Sequence, residues 1–185
     1  MLGPYAVVNC LSRCEAERWR KKMAAATDMG RGGIQGSNSV DLETRTSWVG
    51  WPDHDLFAPL FFQVTEAIRD ANRRNWGIHL DGYAEWQLTR YDAGESGHYH
   101  THVDTDWSRG LASCRKVSAS LLLSPGEAFE GGDLELVHVG GPSREDVRSV
   151  GKLVVFPSIV PHRVSPVTKG TRWSLVTWQW GRNWR

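Results

Sequence analysis

At 185 residues the chain is long enough for one domain that buries most of its apolar surface without staples. Apolar residues at 40% and charged residues at 23% are those of an ordinary globular protein, and a net charge of +1 argues against binding driven by a phosphate backbone, so no nucleic-acid partner is expected. Three cysteines (Cys10, Cys14, Cys114) with no charged-then-apolar opening segment point to free thiols in a reducing cytoplasm, and the absence of an apolar run near the roughly 20 residues that span a bilayer argues against a membrane partner.

Ser12-Arg13-Cys14-Glu15 has the form of a capping box, and Ala16, Trp19, Met23 and Ala26 follow at helical spacing, which predicts a first helix over about 12–27. Residues 29–39 hold too many glycines and small polar side chains for a regular element, and a mobile loop is expected there. From Asp55 onward Phe57, Leu60, Phe61, Val64, Ile68 and Ala71 recur three or four apart, with Arg69, Arg73 and Arg74 in the last turns and Gly77 beyond. That pattern predicts a second, amphipathic helix with one buried face. After Gly82 the period changes to two, so the second half is expected to be all-β. Over 83–91, Glu85, Gln87, Thr89 and Tyr91 share one face while Ala84, Trp86 and Leu88 share the other, so one side of this strand looks into something polar. Segments 117–124, 132–139, 152–157 and 171–180 read the same way, and short strands following two covering helices suggest a jelly roll or barrel. The ten tryptophans suit either a core or a substrate groove.

Three elements carry chemistry. In Tyr99-His100-Thr101-His102-Val103-Asp104, strand alternation would turn His102 and Asp104 to the same side, where they can present an imidazole and a carboxylate to one ion. His162 follows the apolar strand 151–157, so a neighbouring strand could offer it to the same point. Two histidines and a carboxylate on one face leave positions open, the facial arrangement of non-haem iron(II) oxygenases. Alternation over 171–180 places Arg172, Ser174, Val176 and Trp178 on one face and Trp173 and Leu175 on the other, aiming a guanidinium inward. Such a buried cation needs an anion: either a carboxylate-bearing co-substrate or a salt bridge to Asp133 or Glu135.

From about Arg45 to Gly181 the chain resembles the prolyl-hydroxylase-like Fe(II)/2-oxoglutarate dioxygenases, including the PKHD-type. The likeness rests on ordered landmarks: Tyr91-Asp92-Ala93-Gly94, Tyr99 and His102-Val103-Asp104; then 115–124 and Phe129-Glu130-Gly131-Gly132-Asp133-Leu134; then Phe156-Pro157-Ser158, His162-Arg163-Val164 and Gly170-Thr171-Arg172-Trp173-Ser174, with Arg172 ten residues after His162. The resemblance implies a double-stranded β-helix (a cupin-like jelly roll) with N-terminal helices packed on one sheet. It implies one domain over 1–185, with residues 1–80 supplying helices, a covering loop and supporting strands, and residues 81–183 the core. His102, Asp104 and His162 would ligate Fe(II); Arg172 would bind the distal carboxylate of 2-oxoglutarate, assisted by Ser174, and Tyr91 would hydrogen-bond the co-substrate. The implied reaction consumes O2, with ascorbate as a possible reductant, and hydroxylates a substrate carbon with release of succinate and CO2.

Arg45-Thr46-Ser47-Trp48 resembles the family's segment beside the substrate, and Arg45, Tyr99, Trp107 and Trp178 are the candidates for substrate contact. The expected substrate is a prolyl or other residue of a peptide or protein; a free amino acid or small metabolite is the alternative, and a non-catalytic cupin-like binding module is the alternative of another class. Three departures from the collagen-type pattern stand out: a longer connection from Tyr91 to His102 that includes His98, arginine in place of lysine at 172, and His98-x-His100-x-His102, which by alternation could mimic a zinc site.

Overall fold

The protein is described here by a computed structural model covering residues 3–34, 39–105 and 113–184. Trp107 and the middle of the expected 29–39 loop lie outside the described residues. In chain order the elements are β1 (Ala6–Asn9), α1 (Arg13–Ala26), β2 (Gly30–Arg31), β3 (Arg45–Thr46), β4 (Trp48–Gly50), α2 (His54–Asn75), β5 (Ala84–Asp92), β6 (His98–His102), β7 (Ser113–Leu122), β8 (Phe129–Gly131), β9 (Leu134–Leu136), α3 (Arg144–Arg148), β10 (Lys152–Pro157), β11 (His162–Val164) and β12 (Val167–Arg182).

Both long helices start where their caps dictate. Ser12 and Glu15 form the reciprocal capping box on α1, and the Asp53 carboxylate accepts from the Leu56 amide at the start of α2. Their apolar faces, Ala16 and Met23 on α1 and Phe57, Leu60, Phe61, Val64 and Ile68 on α2, pack on Trp86, Leu88, Val117, Ala119, Leu121, Leu153, Val155 and Leu175 of the large sheet. That sheet runs β1-β10-β7-β12-β5-β4-β2, with β8 on β12, and a second sheet runs β3-β6-β11-β9. All the pairings are antiparallel. The two sheets face one another as a jelly roll, with no closed barrel among the described residues. A second core, built from Leu122, Phe129, Leu134, Val154, Phe156, Val164 and Val167, closes one end of the space between them.

Alternation on β5 and β12 sorts as expected: Glu85, Gln87, Thr89, Tyr91, Arg172, Ser174, Val176 and Trp178 line the cavity between the sheets, and Trp86, Leu88 and Leu175 enter the helix-covered core. Four expectations need correcting. The second half is not all-β, because Ser143 caps the five-residue α3 through its hydroxyl and the Asp146 amide and two 3-10 turns follow β5 and precede β8. Of the expected 132–139 strand only β9 (Leu134–Leu136) forms, parted from β8 by a turn where Gly131 and Gly132 both take positive φ (68° and 65°). Residues 29–39 are not irregular throughout, since Gly30 and Arg31 pair with Val49 and Trp48. Finally, Asp104 is not a strand residue: β6 ends at His102.

Candidate active site

The register of β6 decides which side chains meet. His162 pairs with His102, but Val164 pairs with Tyr99, so three residues on β6 span what two span on β11. The extra residue is a β-bulge, which re-aims the strand locally. It puts Tyr99 and His102 on the same inner face, their rings stacked with centroids 3.6 Å apart and planes 19° apart. It also removes His102 from the face shared by His98 and His100, whose rings are 4.9 Å apart. The three-histidine zinc arrangement therefore does not form. His98 is instead held by two backbone carbonyls, Ser96 O at 2.8 Å from Nδ1 and Glu43 O at 2.9 Å from Nε2.

His102, Asp104 and His162 do converge. One donor atom from each lies within 4.8 Å of the others, and they are the only such group of three among the described residues. His102 Nε2 is 3.7 Å from Asp104 Oδ1, and His162 Nε2 is 3.3 Å from Asp104 Oδ2. Each imidazole turns its other nitrogen to a backbone carbonyl two residues earlier: His102 Nδ1 to His100 O at 2.8 Å, His162 Nδ1 to Val160 O at 3.0 Å. A carbonyl can only accept, so Nδ1 carries a proton on both rings, and Nε2 is the atom turned toward Asp104. Burial, and then the neighbouring His162, push His102 down to about 4, so its imidazole is neutral and able to ligate at neutral pH.

Asp104 owes its place to backbone rather than to strand alternation. Its amide and that of Thr105 donate to Ser158 O, at 2.9 and 3.2 Å. Ser118 Oγ donates to Asp104 Oδ2 at 2.7 Å and is backed by Ser158 Oγ at 2.8 Å. Burial works to raise this carboxyl, but the charges of His162, His102 and Arg115 and the Ser118 hydroxyl hold it below the usual carboxylate range. The donor set and its supports fit a divalent iron site of two histidines and one carboxylate.

Arg172 lies opposite Tyr91 in the β5–β12 ladder, with its guanidinium 5.7 Å from the Tyr91 ring centroid. It is 2% exposed. Among the described residues its one hydrogen bond is from Nη1 to Ser174 Oγ at 3.0 Å, and Nε finds no partner there. Neither carboxylate proposed from the sequence neutralises it: Asp133 is bound by Arg148 at 2.7 Å and Glu135 by Arg163 at 2.7 Å. Burial accordingly depresses the guanidinium below its ordinary value, against smaller opposing effects of Tyr91 and Asp133. A buried, unneutralised fork in the same cavity as the His102–Asp104–His162 cluster fits a dicarboxylate ligand.

The cavity that holds these groups has a volume of about 420 Å³. Of the candidates for substrate contact, Tyr99, Trp178 and Arg45 line it, and Arg45 is bonded to protein by three of its nitrogens. Sequence reasoning missed Ser118, whose position follows from the same alternation that places Ser118 and Ser120 inward on β7, and the pair Glu85–Arg115 at 2.6 Å. Arg115 stacks over Trp178 at 3.8 Å. Trp51 at the cavity rim was also missed; it leans on Trp178 with centroids 6.4 Å apart.

The fold has solved counterparts. A prolyl-4-hydroxylase of Pseudomonas putida superposes with a TM-score of 0.74 at 22% identity, covering 98% of this chain and 94% of that one. A prolyl hydroxylase of Trichoplax adhaerens, solved with a hypoxia inducible factor peptide, gives 0.73 at 17% identity over 96% and 83%. Among sequences, a PKHD-type hydroxylase of Idiomarina loihiensis is 37% identical over 91 residues, 49% of this chain and 39% of the relative. Another from Gloeothece citriformis is 32% identical over 121 residues, 63% of this chain and 53% of the relative. The chain thus spans about two fifths to half the length of these curated relatives. Residues 86–180, which carry all three candidate ligands and Arg172, match the 2OG-Fe(II) oxygenase superfamily, and the chain belongs to that family.

Proposed function

We propose that the protein is an Fe(II)- and 2-oxoglutarate-dependent dioxygenase that hydroxylates a prolyl or other residue of a peptide or protein, releasing succinate and CO2. The observation that carries this reading is the meeting, in one cavity, of the His102–Asp104–His162 cluster and an Arg172 guanidinium that has no carboxylate partner among the described residues. His102, Asp104 and His162 would hold the iron. Arg172, steadied by Ser174, would grip the distal carboxylate of 2-oxoglutarate, with Tyr91 forming the adjacent wall. Bound iron supplies the activation of dioxygen, coupled to decarboxylation of the co-substrate, that hydroxylates carbon. The chain's own work is to present the His102 and His162 imidazoles, the first of them held neutral, to fix the carboxylate through Ser118, and to surround the reacting carbon with a wall that keeps water out.

A peptide substrate is supported by the lining of the cavity, which includes Trp178, Trp180 and the exposed Trp51 as well as the candidate metal ligands. Trp178 Nε1 is a buried donor without a partner among the described residues, suited to a main-chain carbonyl. The peptide bound in the Trichoplax adhaerens structure is consistent with such an occupant. Cys10, Cys14 and Cys114 are free thiols, which supports action in a reducing cytoplasm.

The test is spectroscopic and then kinetic. Anaerobic Fe(II) and 2-oxoglutarate together should give a visible charge-transfer band that neither gives alone and that His102→Ala abolishes. Admission of oxygen should release succinate, faster with an accepted peptide. A wild-type protein that binds Fe(II) but shows no band and no succinate would leave a binding module as the answer.

A further inference from the structure

Arg45 is buried, 7% exposed, and no carboxylate lies within ion-pair distance of it among the described residues. Its donors go to neutral groups on three separate parts of the chain: Nε to Ser47 Oγ at 2.8 Å, Nη1 to the Gly33 carbonyl at 2.9 Å, and Nη2 to Gln87 Oε1 at 2.9 Å. Its flat face covers Tyr99 at 4.5 Å, and Tyr99 is the ring stacked on His102. Gln87 also accepts from Thr89 Oγ1 at 3.2 Å on the cavity face of β5. Residues 31, 33 and 34 form part of the cavity lining. They are drawn down by the β2–β4 pairs, by the Gly32 amide on Ser47 O at 2.9 Å, and by Arg31 on Glu95 at 2.6 and 2.7 Å. Gly32 lets them lie that close: an added methyl would overlap Ser47 Oγ and stand 2.8 Å from Arg45 Nε.

We infer that Arg45 is a positioning residue. Its fork pins the wall segment 30–34 and the Gln87 side chain to the ring that backs metal ligand His102, so that the substrate end of the cavity and the metal end hold one geometry. Five donors fixed in a plane suit this task, and no other side chain can reach three neutral acceptors and stack on an aromatic face at once. A wall that holds the substrate carbon in place keeps co-substrate turnover tied to substrate turnover, because an oxidising equivalent formed with no carbon in reach must instead be spent on two electrons from an external reductant such as ascorbate, giving succinate without product.

The kinetic half of this inference rests on the dioxygenase reading; the structural half does not, and the experiment separates them. Hydrogen exchange of the metal-free protein reads the wall directly. Arg45→Met should speed exchange of residues 30–34 by about tenfold or more while β5 and β12 amides stay unchanged. Gly32→Ala keeps Arg45 but pushes it aside, and should do the same, which covers the case in which Arg45→Met fails to fold. In turnover both variants should leave the KM for 2-oxoglutarate within about twofold and cut product formed per succinate by about threefold or more, with Arg45→Lys partly restoring the ratio. Unchanged exchange at 30–34 in Gly32→Ala overturns the latch. Faster exchange with an unchanged product-to-succinate ratio overturns the positioning role. A wild-type protein without succinate release removes the dioxygenase reading and leaves the exchange result to decide on the latch alone.

Discussion

Taking a guanidinium out of water without a counter-ion costs several kcal/mol, and Arg172 is in that position, 2% exposed with Nε unbonded. A side chain kept for stability would have Asp133 or Glu135 as its partner, yet Arg148 and Arg163 hold both. Arg172→Met should therefore leave the metal-free protein as stable or more stable, by about 1 kcal/mol, since an apolar chain of similar length replaces an uncompensated charge. The same change should raise the KM for 2-oxoglutarate by about tenfold or more, the loss expected for charge-assisted hydrogen bonds. Denaturant melts and succinate kinetics read the two effects; a loss of stability with an unchanged KM would make Arg172 a structural residue. The candidate trio and Arg172 were legible in the sequence because His102 and His162 sit at strand ends, Asp104 follows His102 by two residues, and Arg172 lies on a long alternating strand. The place of Arg45 was not, because its contacts come from residues 33, 47 and 87, a spread that no local pattern encodes.

At the scale of elements, long periodic segments were readable and short ones were not. α1, α2, β5 and β12 run for 14, 22, 9 and 16 residues, enough for a period to declare itself. α3 has five residues. Its only local signal is Ser143 three before Asp146, which is the cap the structure uses. The bulge in β6 has no composition cue at all, and it is what parts His102 from His98 and His100. The turn between β8 and β9 was visible as Gly131-Gly132, but its purpose was not. Gly132 at φ +65° carries the turn so close that a methyl there would lie 2.7 Å from Val167 Cγ2 and 3.2 Å from Arg172 Cδ. Gly132→Ala should destabilise the protein by about 1–3 kcal/mol through left-handed backbone strain. Because Arg172 Cδ is one of the crowded atoms, it should also raise the KM for 2-oxoglutarate. A melting curve and the same succinate assay test both, and a destabilised variant with normal co-substrate affinity would show that the turn does not set Arg172.

Over the whole molecule, charge is nearly balanced at +1, but inside the cavity it is not. Among the described residues, Arg31, Arg45, Arg115 and Arg172 line it against Glu85 and Asp104. Glu85 is occupied by Arg115, while Arg31 is matched by Glu95, which does not line the cavity. If 2-oxoglutarate brings two negative charges and iron two positive ones, they cancel; with Arg31 and Arg115 paired, Arg45 and Arg172 against Asp104 leave the cavity positive by one charge. Low-dielectric walls focus that field, so it acts on association more than on the chemical step. Peptides matched in length that carry glutamate beside the hydroxylated residue should then show a KM roughly threefold to tenfold lower than those carrying lysine there, with kcat unchanged. The gap should shrink as salt is raised from about 0.1 M to 1 M, because the screening length falls from about 10 Å to about 3 Å. A preference for lysine would mean that Glu85 governs the mouth of the cavity despite its bond to Arg115, and a gap that ignores salt would mean that shape selects the substrate and the field does not.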